Sequence, residues 1–99
     1  MKVATFVKAL VPENRREELE TEYKSLRKDS TAFPPGLERS FLLKDTKVPG
    51  MYTIQTIWTV MEALQAMRNS GIKPKAPELF EKVGATPQLE IHKIVEILP

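Results

Sequence analysis

Apolar residues recur along this chain with two different periods, and each change of period marks an element. Residues 3–10, VATFVKAL, are β-branched or apolar at most positions and stop at Pro12, which reads as a first strand. From Asn14 the pattern changes. Leu19, Tyr23 and Leu26 recur at i, i+4 and i+7, one face of a helix, and Asn14 with Glu17 predicts its capped start. This first helix should run to about Lys28. Pro34, Pro35 and Gly36 then break any helix. Residues 37–44, LERSFLLK, return to an extended pattern that sets Leu37, Arg39, Phe41 and Leu43 on one face. DTKVPG, 45–50, is a turn by composition, and MYTIQTIW, 51–58, is a third strand that should form a hairpin with the second.

Thr59 and Glu62 have the spacing of a capping box, which predicts a second helix starting directly after Trp58. Ala63, Leu64 and Met67 form its apolar stripe, and Asn69, Ser70 and Gly71 end it. A short helix is expected over Pro77–Val83, with proline in its first turn and Gly84 after its end. LEIHKIVEIL, 89–98, reads as the last strand. The resulting order is β-α-β-β-α-β, the ferredoxin-like α+β pattern, with both main helices on one face of a four-stranded antiparallel sheet. Each strand nevertheless carries apolar residues at both parities, as in Val3 and Val7 against Phe6 and Leu10. A sheet open to water on one side alternates more cleanly, so the second face is expected to be covered by another copy of the chain, giving a homodimer.

Composition adds bounds. Ninety-nine residues make a single domain, 1–99, and a chain this short buries only about 60 to 70% of the surface it would expose unfolded. Apolar residues at 41% and charged residues at 28% are ordinary for a soluble globular protein. With no cysteine there are no disulfides and no thiolate metal sites. No apolar run approaches the roughly 18 residues of a membrane span, and charge enters too early for a signal peptide, so a mature, cytoplasmic chain is expected. The 15 Lys and Arg are scattered among 13 Asp and Glu, which gives no nucleic-acid footprint. An RNA-reading sheet of the same topology would need aromatics paired across strands one and three, and MYTIQTIW does not supply them. The four glycines are isolated, so there is no phosphate loop, and the carboxylates show no metal-ligand spacing.

The order of elements, the Pro-Gly step before strand two, and above all IWTVMEAL at 57–64 resemble the antibiotic biosynthesis monooxygenase (ABM) domain of the dimeric α+β barrel superfamily. The resemblance covers residues 3–98 and is most specific around Trp58. It implies a face-to-face dimer barrel and a small planar aromatic or quinol-type ligand between sheet and helices. It also implies oxygenation without metal or flavin, in which the deprotonated substrate hands an electron to oxygen. The family's tryptophan at the end of strand three lines that pocket, and Trp58 matches it. Haem-degrading relatives add an asparagine on strand one and a histidine in helix two. Here strand one offers Thr5 and Phe6, and helix two offers Met67 and Arg68.

Phe6, Met67 and Arg68 therefore join Trp58 as candidate ligand-binding residues. Tyr52 shares the parity of Ile54, Thr56 and Trp58 and could donate a phenolic proton, or it could be a packing residue. Arg68 could hold an anionic substrate or enolate, or could simply be solvated. His92, the sole imidazole, alternates with Glu90 and Ile94 on strand four with no metal-spaced partner. No general base is identified. Two functions from different classes follow: a cofactor-independent monooxygenase-like oxidoreductase, or a non-catalytic ligand-binding or interaction module on the same fold.

Overall fold

A computed structural model describes all of residues 1–99. The elements are β1 (Val3–Leu10), α1 (Arg16–Ser25), β2 (Leu37–Lys44), β3 (Met51–Trp58), α2 (Met61–Asn69), α3 (Lys75–Lys82) and β4 (Gln88–Lys93). The four strands form one antiparallel sheet in the order β2-β3-β1-β4, and the fold is ferredoxin-like α+β. No helix is long and apolar enough to cross a membrane.

The helices cover one face. On it β1 places Val3, Thr5, Val7 and Ala9 opposite Trp58, Thr56, Ile54 and Tyr52 of β3, and all eight are buried. The other face carries Phe6, Leu10, Phe41, Leu43, Met51 and Ile57 with no layer over them. Apolar residues at both parities thus lie on two apolar faces, as the sequence pattern requires.

Four local details depart from the sequence reading. Asn14 caps no helix. It lies in a short 3-10 turn, Glu13–Arg15, closed by the Arg15 N–H donating to the Pro12 carbonyl at 2.9 Å, and α1 starts only at Arg16 without a side-chain cap. Thr59 does not cap α2 either. Its N–H donates to the Gly36 carbonyl at 2.8 Å, and Val60, extended, occupies the N-cap position without a side-chain bond. The chain therefore leaves β3 anchored to the Pro-Gly step before it turns into α2. In β2 a register shift between Leu37 and Arg39 turns Leu37 to the helix side beside Trp58, while Arg39, Phe41 and Leu43 stay on the open side. β4 ends at Lys93 instead of Leu98. One further bond, from the Ile94 N–H to the Lys2 carbonyl at 2.9 Å, uses up the start of β1, and beyond it the chain has no strand to pair with.

The core is in two parts. A cluster of ten buried residues, including Leu19, Tyr52, Leu79, Phe80 and Val83, fills the end of the molecule between the sheet, α1 and α3. A second cluster of only three, Val3, Trp58 and Leu64, lies under α2, with Leu37, Met61 and Met67 packed against it.

Candidate functional site

A cavity of about 300 Å³ opens between the sheet and the helices. Its size is at the lower end of small-molecule pockets. The floor is strand residues whose parity aims them at the helices, among them Thr5, Val7, Ile54, Thr56 and Trp58. Tyr23 and Leu26 come from α1 and the turn after it, Leu64 and Met67 from α2, and Ile72 and Pro74 from the connection into α3.

Trp58 is held rigidly in this wall. It is 4% exposed, and its indole Nε1–H donates to the Thr5 hydroxyl at 3.3 Å across the β1–β3 pair. The bond satisfies the one polar atom of the ring, so the apolar body can face the cavity at no hydrogen-bonding cost. Tyr23 Oη and Ser40 Oγ are 2.7 Å apart and form the second polar pair of the lining. Neither residue stands out in the sequence, where Tyr23 reads only as part of the apolar stripe of its helix.

Charge at the cavity has one sign. Lys24, Arg27, Arg68, Lys73 and Lys75 contribute to the lining, and no aspartate, glutamate or histidine does. Lys75 reaches Asp29 at 3.3 Å and Lys73 reaches Glu81 at 3.3 Å, whereas Lys24, Arg27 and Arg68 take part in none of the ion pairs of the molecule. The sequence conceals this grouping because its members come from α1, the turn after it, α2 and the segment before α3.

Of the residues singled out from the sequence, Trp58, Met67 and Arg68 meet at this cavity. Tyr52 and Phe6 do not. Tyr52 has the expected parity, but it lies six positions along the strand from Trp58, roughly 20 Å. It sits in the larger core cluster, 2% exposed, and its hydroxyl donates to Glu20 Oε2 at 2.6 Å. Burial, then the bond to Glu20, pushes the Tyr52 phenol above its ordinary value, while the Tyr52 hydroxyl, followed by Lys44, holds the Glu20 carboxyl below its own. The pair is a neutral donor on an ionised acceptor, and it ties α1 to β3. Phe6 is on the open face, edge-on to His92 with ring centroids 5.5 Å apart. His92 Nε2 lies 3.1 Å from Glu90 Oε1 on the same strand, away from the cavity. No group of three or more His, Cys, Asp or Glu side chains is placed to share a metal ion.

Known structures share this architecture. A heme-degrading protein from Mycobacterium tuberculosis is 25% identical, with all of both chains covered and a TM-score of 0.71. A cofactor-independent oxygenase from Streptomyces nogalater, SnoaB, in a mutant form, is 17% identical over 99% of this chain and 97% of its own, with a TM-score of 0.69. A candidate antibiotic biosynthesis monooxygenase from Caulobacter crescentus is 19% identical over 96% and 91%, with a TM-score of 0.74. No curated protein sequence matches the chain. The profile of the antibiotic biosynthesis monooxygenase family matches residues 2–79, most of the chain, and with the two-faced sheet and the tryptophan-walled cavity it shows that the chain belongs to that family.

Proposed function

We propose that this chain is a cytoplasmic, monooxygenase-like oxidoreductase that binds a small planar aromatic or quinol-type compound in the cavity beside Trp58 and oxygenates it without a bound cofactor. The observation that carries the reading is the lining: apolar walls, a fixed indole face, five cations and no carboxylate. Nearby fixed cations lower the pKa of an acid by about 1 to 3. A phenol or enolisable ketone bound here is thereby shifted toward its anion, the form that hands an electron to oxygen. An activated methylene would lose both hydrogens and gain one oxygen atom, and the second oxygen would leave as water, so no outside reductant is needed.

One observation favours a second reading. No histidine or carboxylate lines the cavity, so the ordinary general bases are missing, which suits a binding module that performs no turnover. Oxygen uptake separates the two. An anthrone or hydroquinone should quench the single tryptophan saturably and consume oxygen with no added metal or flavin. Saturable quenching without uptake across a broad panel would leave the binding module, and no quenching at all would remove the cavity as a binding site.

Haem, on which the mycobacterial relative acts, is not part of the proposal. Haem iron is held by His, Cys, Met or Tyr side chains. Only Met67 and Tyr23 of these types line the cavity, and the Tyr23 hydroxyl is engaged with Ser40.

The proposed assembly is a homodimer that closes the two open sheet faces on each other. Phe41 and Leu43 are 39% and 41% exposed and Leu10 is 57% exposed, all on the sheet face that no helix covers, and exposed large apolar side chains grouped on one face mark an interaction surface. Sedimentation at micromolar concentration should give twice 11.3 kDa, and a concentration-independent species of single mass would overturn the assembly.

A further inference from the structure

Resting on the cavity as the binding site, we infer that its ligand carries an anionic group, a carboxylate, sulfonate or phosphate, held at the mouth by Arg27 and Arg68 with Lys24 beside them. The three cations come from two parts of the chain, Lys24 and Arg27 from α1 and the turn that follows it and Arg68 from the last turn of α2. None of the three takes part in an ion pair, whereas Lys73 and Lys75 at the same cavity are engaged with Glu81 and Asp29. With a net charge of only +2 for the chain, three unpaired cations at one cavity are a local concentration, not a reflection of overall basicity. A group of opposite sign bound among these like charges gains attraction from all of them at once and relieves their mutual repulsion. The two guanidiniums are exposed at the rim while Trp58, Leu64 and Ile54 lie buried at the floor. That arrangement fits a molecule with one apolar, flat end and one charged end, and it sets the orientation: ring inward against the indole, charge outward between the arginines.

The test uses two fluorescent probes with one aromatic frame, N-phenylnaphthylamine, which is neutral, and its sulfonate, anilinonaphthalene sulfonate. Each exposed charge pair contributes a factor of about 1.5 to 5, so three should favour the sulfonate about tenfold at low salt. That advantage should shrink severalfold in half-molar sodium chloride, where screening acts over a few ångströms. Arg27→Gln combined with Arg68→Gln should remove most of it and leave the neutral probe unchanged, and Lys47→Gln, the same charge change in the β2–β3 turn, should leave the ratio as it was. Equal affinity for the two probes, or a preference that survives the double variant, overturns the anionic group while the cavity stands. Failure of both probes to quench Trp58 saturably overturns the cavity reading and this inference together.

Discussion

Trp58→Ala should destabilise the protein by about 3 to 5 kcal/mol, the range for truncating a large buried aromatic. The indole is 4% exposed and is the largest member of a cluster of only three buried side chains, so little else holds α2 to the sheet at that end. The same change removes the flat wall of the cavity, and it should weaken binding of a planar probe more than tenfold even where the variant is kept folded by low temperature. Trp58→Phe separates the two effects. It keeps an aromatic face but leaves the buried Thr5 hydroxyl without its donor, and should cost about 1 to 2 kcal/mol. Urea melts and the intrinsic fluorescence of the probe report stability and binding without relying on tryptophan. If Trp58→Ala melts within 1 kcal/mol of the parent, roughly the span of an ordinary surface change, the indole is not the packing element described here.

Gly36→Ala is the second large effect, about 2 to 5 kcal/mol. Gly36 has φ +89°, a left-handed conformation that costs a residue with a side chain about 1 to 2 kcal/mol. A methyl group there would also run into Cβ of Ala63 on the first turns of α2, and overpacking of that kind costs about 1 to 3 kcal/mol. Gly71 supplies the comparison. Its φ is +82°, but nothing lies within 4 Å of an added Cβ, so Gly71→Ala should show the conformational part alone. Equal losses in the two variants would mean that α2 does not press on the Pro-Gly step.

The β1, β2 and β3 boundaries could be read from the chain because those strands carry local signals: Pro12 after β1, Pro-Pro-Gly before β2 and a polar turn before β3. What escaped that reading depended on partners far away in sequence. Thr59 and Glu62 have the spacing of a cap, yet the Thr59 N–H goes to Gly36, twenty-three residues earlier, and a sequence window cannot see that acceptor. The last strand is shorter than the pattern predicts because LEIHKIVEIL keeps apolar residues to its end, while strand length is set by the partner, and β1 begins at Val3. For the site, parity alone put Tyr52 with Trp58, but parity says nothing about position along a strand. Phe6 is a candidate only through the resemblance, as the residue strand one offers; the odd positions Val3, Thr5, Val7 and Ala9 face the helices, which leaves Phe6 on the open side with Lys8 and Leu10. Trp58, Met67 and Arg68 were legible because one strand end and one helix bring them together. Lys24 and Arg27 carry no local signal of a site, and only the folding of α1 over the sheet brings them to the same opening as Arg68.

The division of the core into a cluster of ten and a cluster of three has a thermodynamic consequence. The cavity is lined by members of both, Val7, Ile54 and Leu79 of the larger and Trp58 and Leu64 of the smaller, so a molecule bound there would pack against the two together. Folding and binding are then linked through mass action: a ligand at a hundred times its dissociation constant adds about 2.7 kcal/mol to the free energy of unfolding. That gain would fall unevenly. The end built on Phe80 and Leu19 is already dense, while the end built on Trp58 would open first when empty and would be protected most when occupied. On the proposed function, a ligand seated there would be, in that sense, a removable piece of the hydrophobic interior.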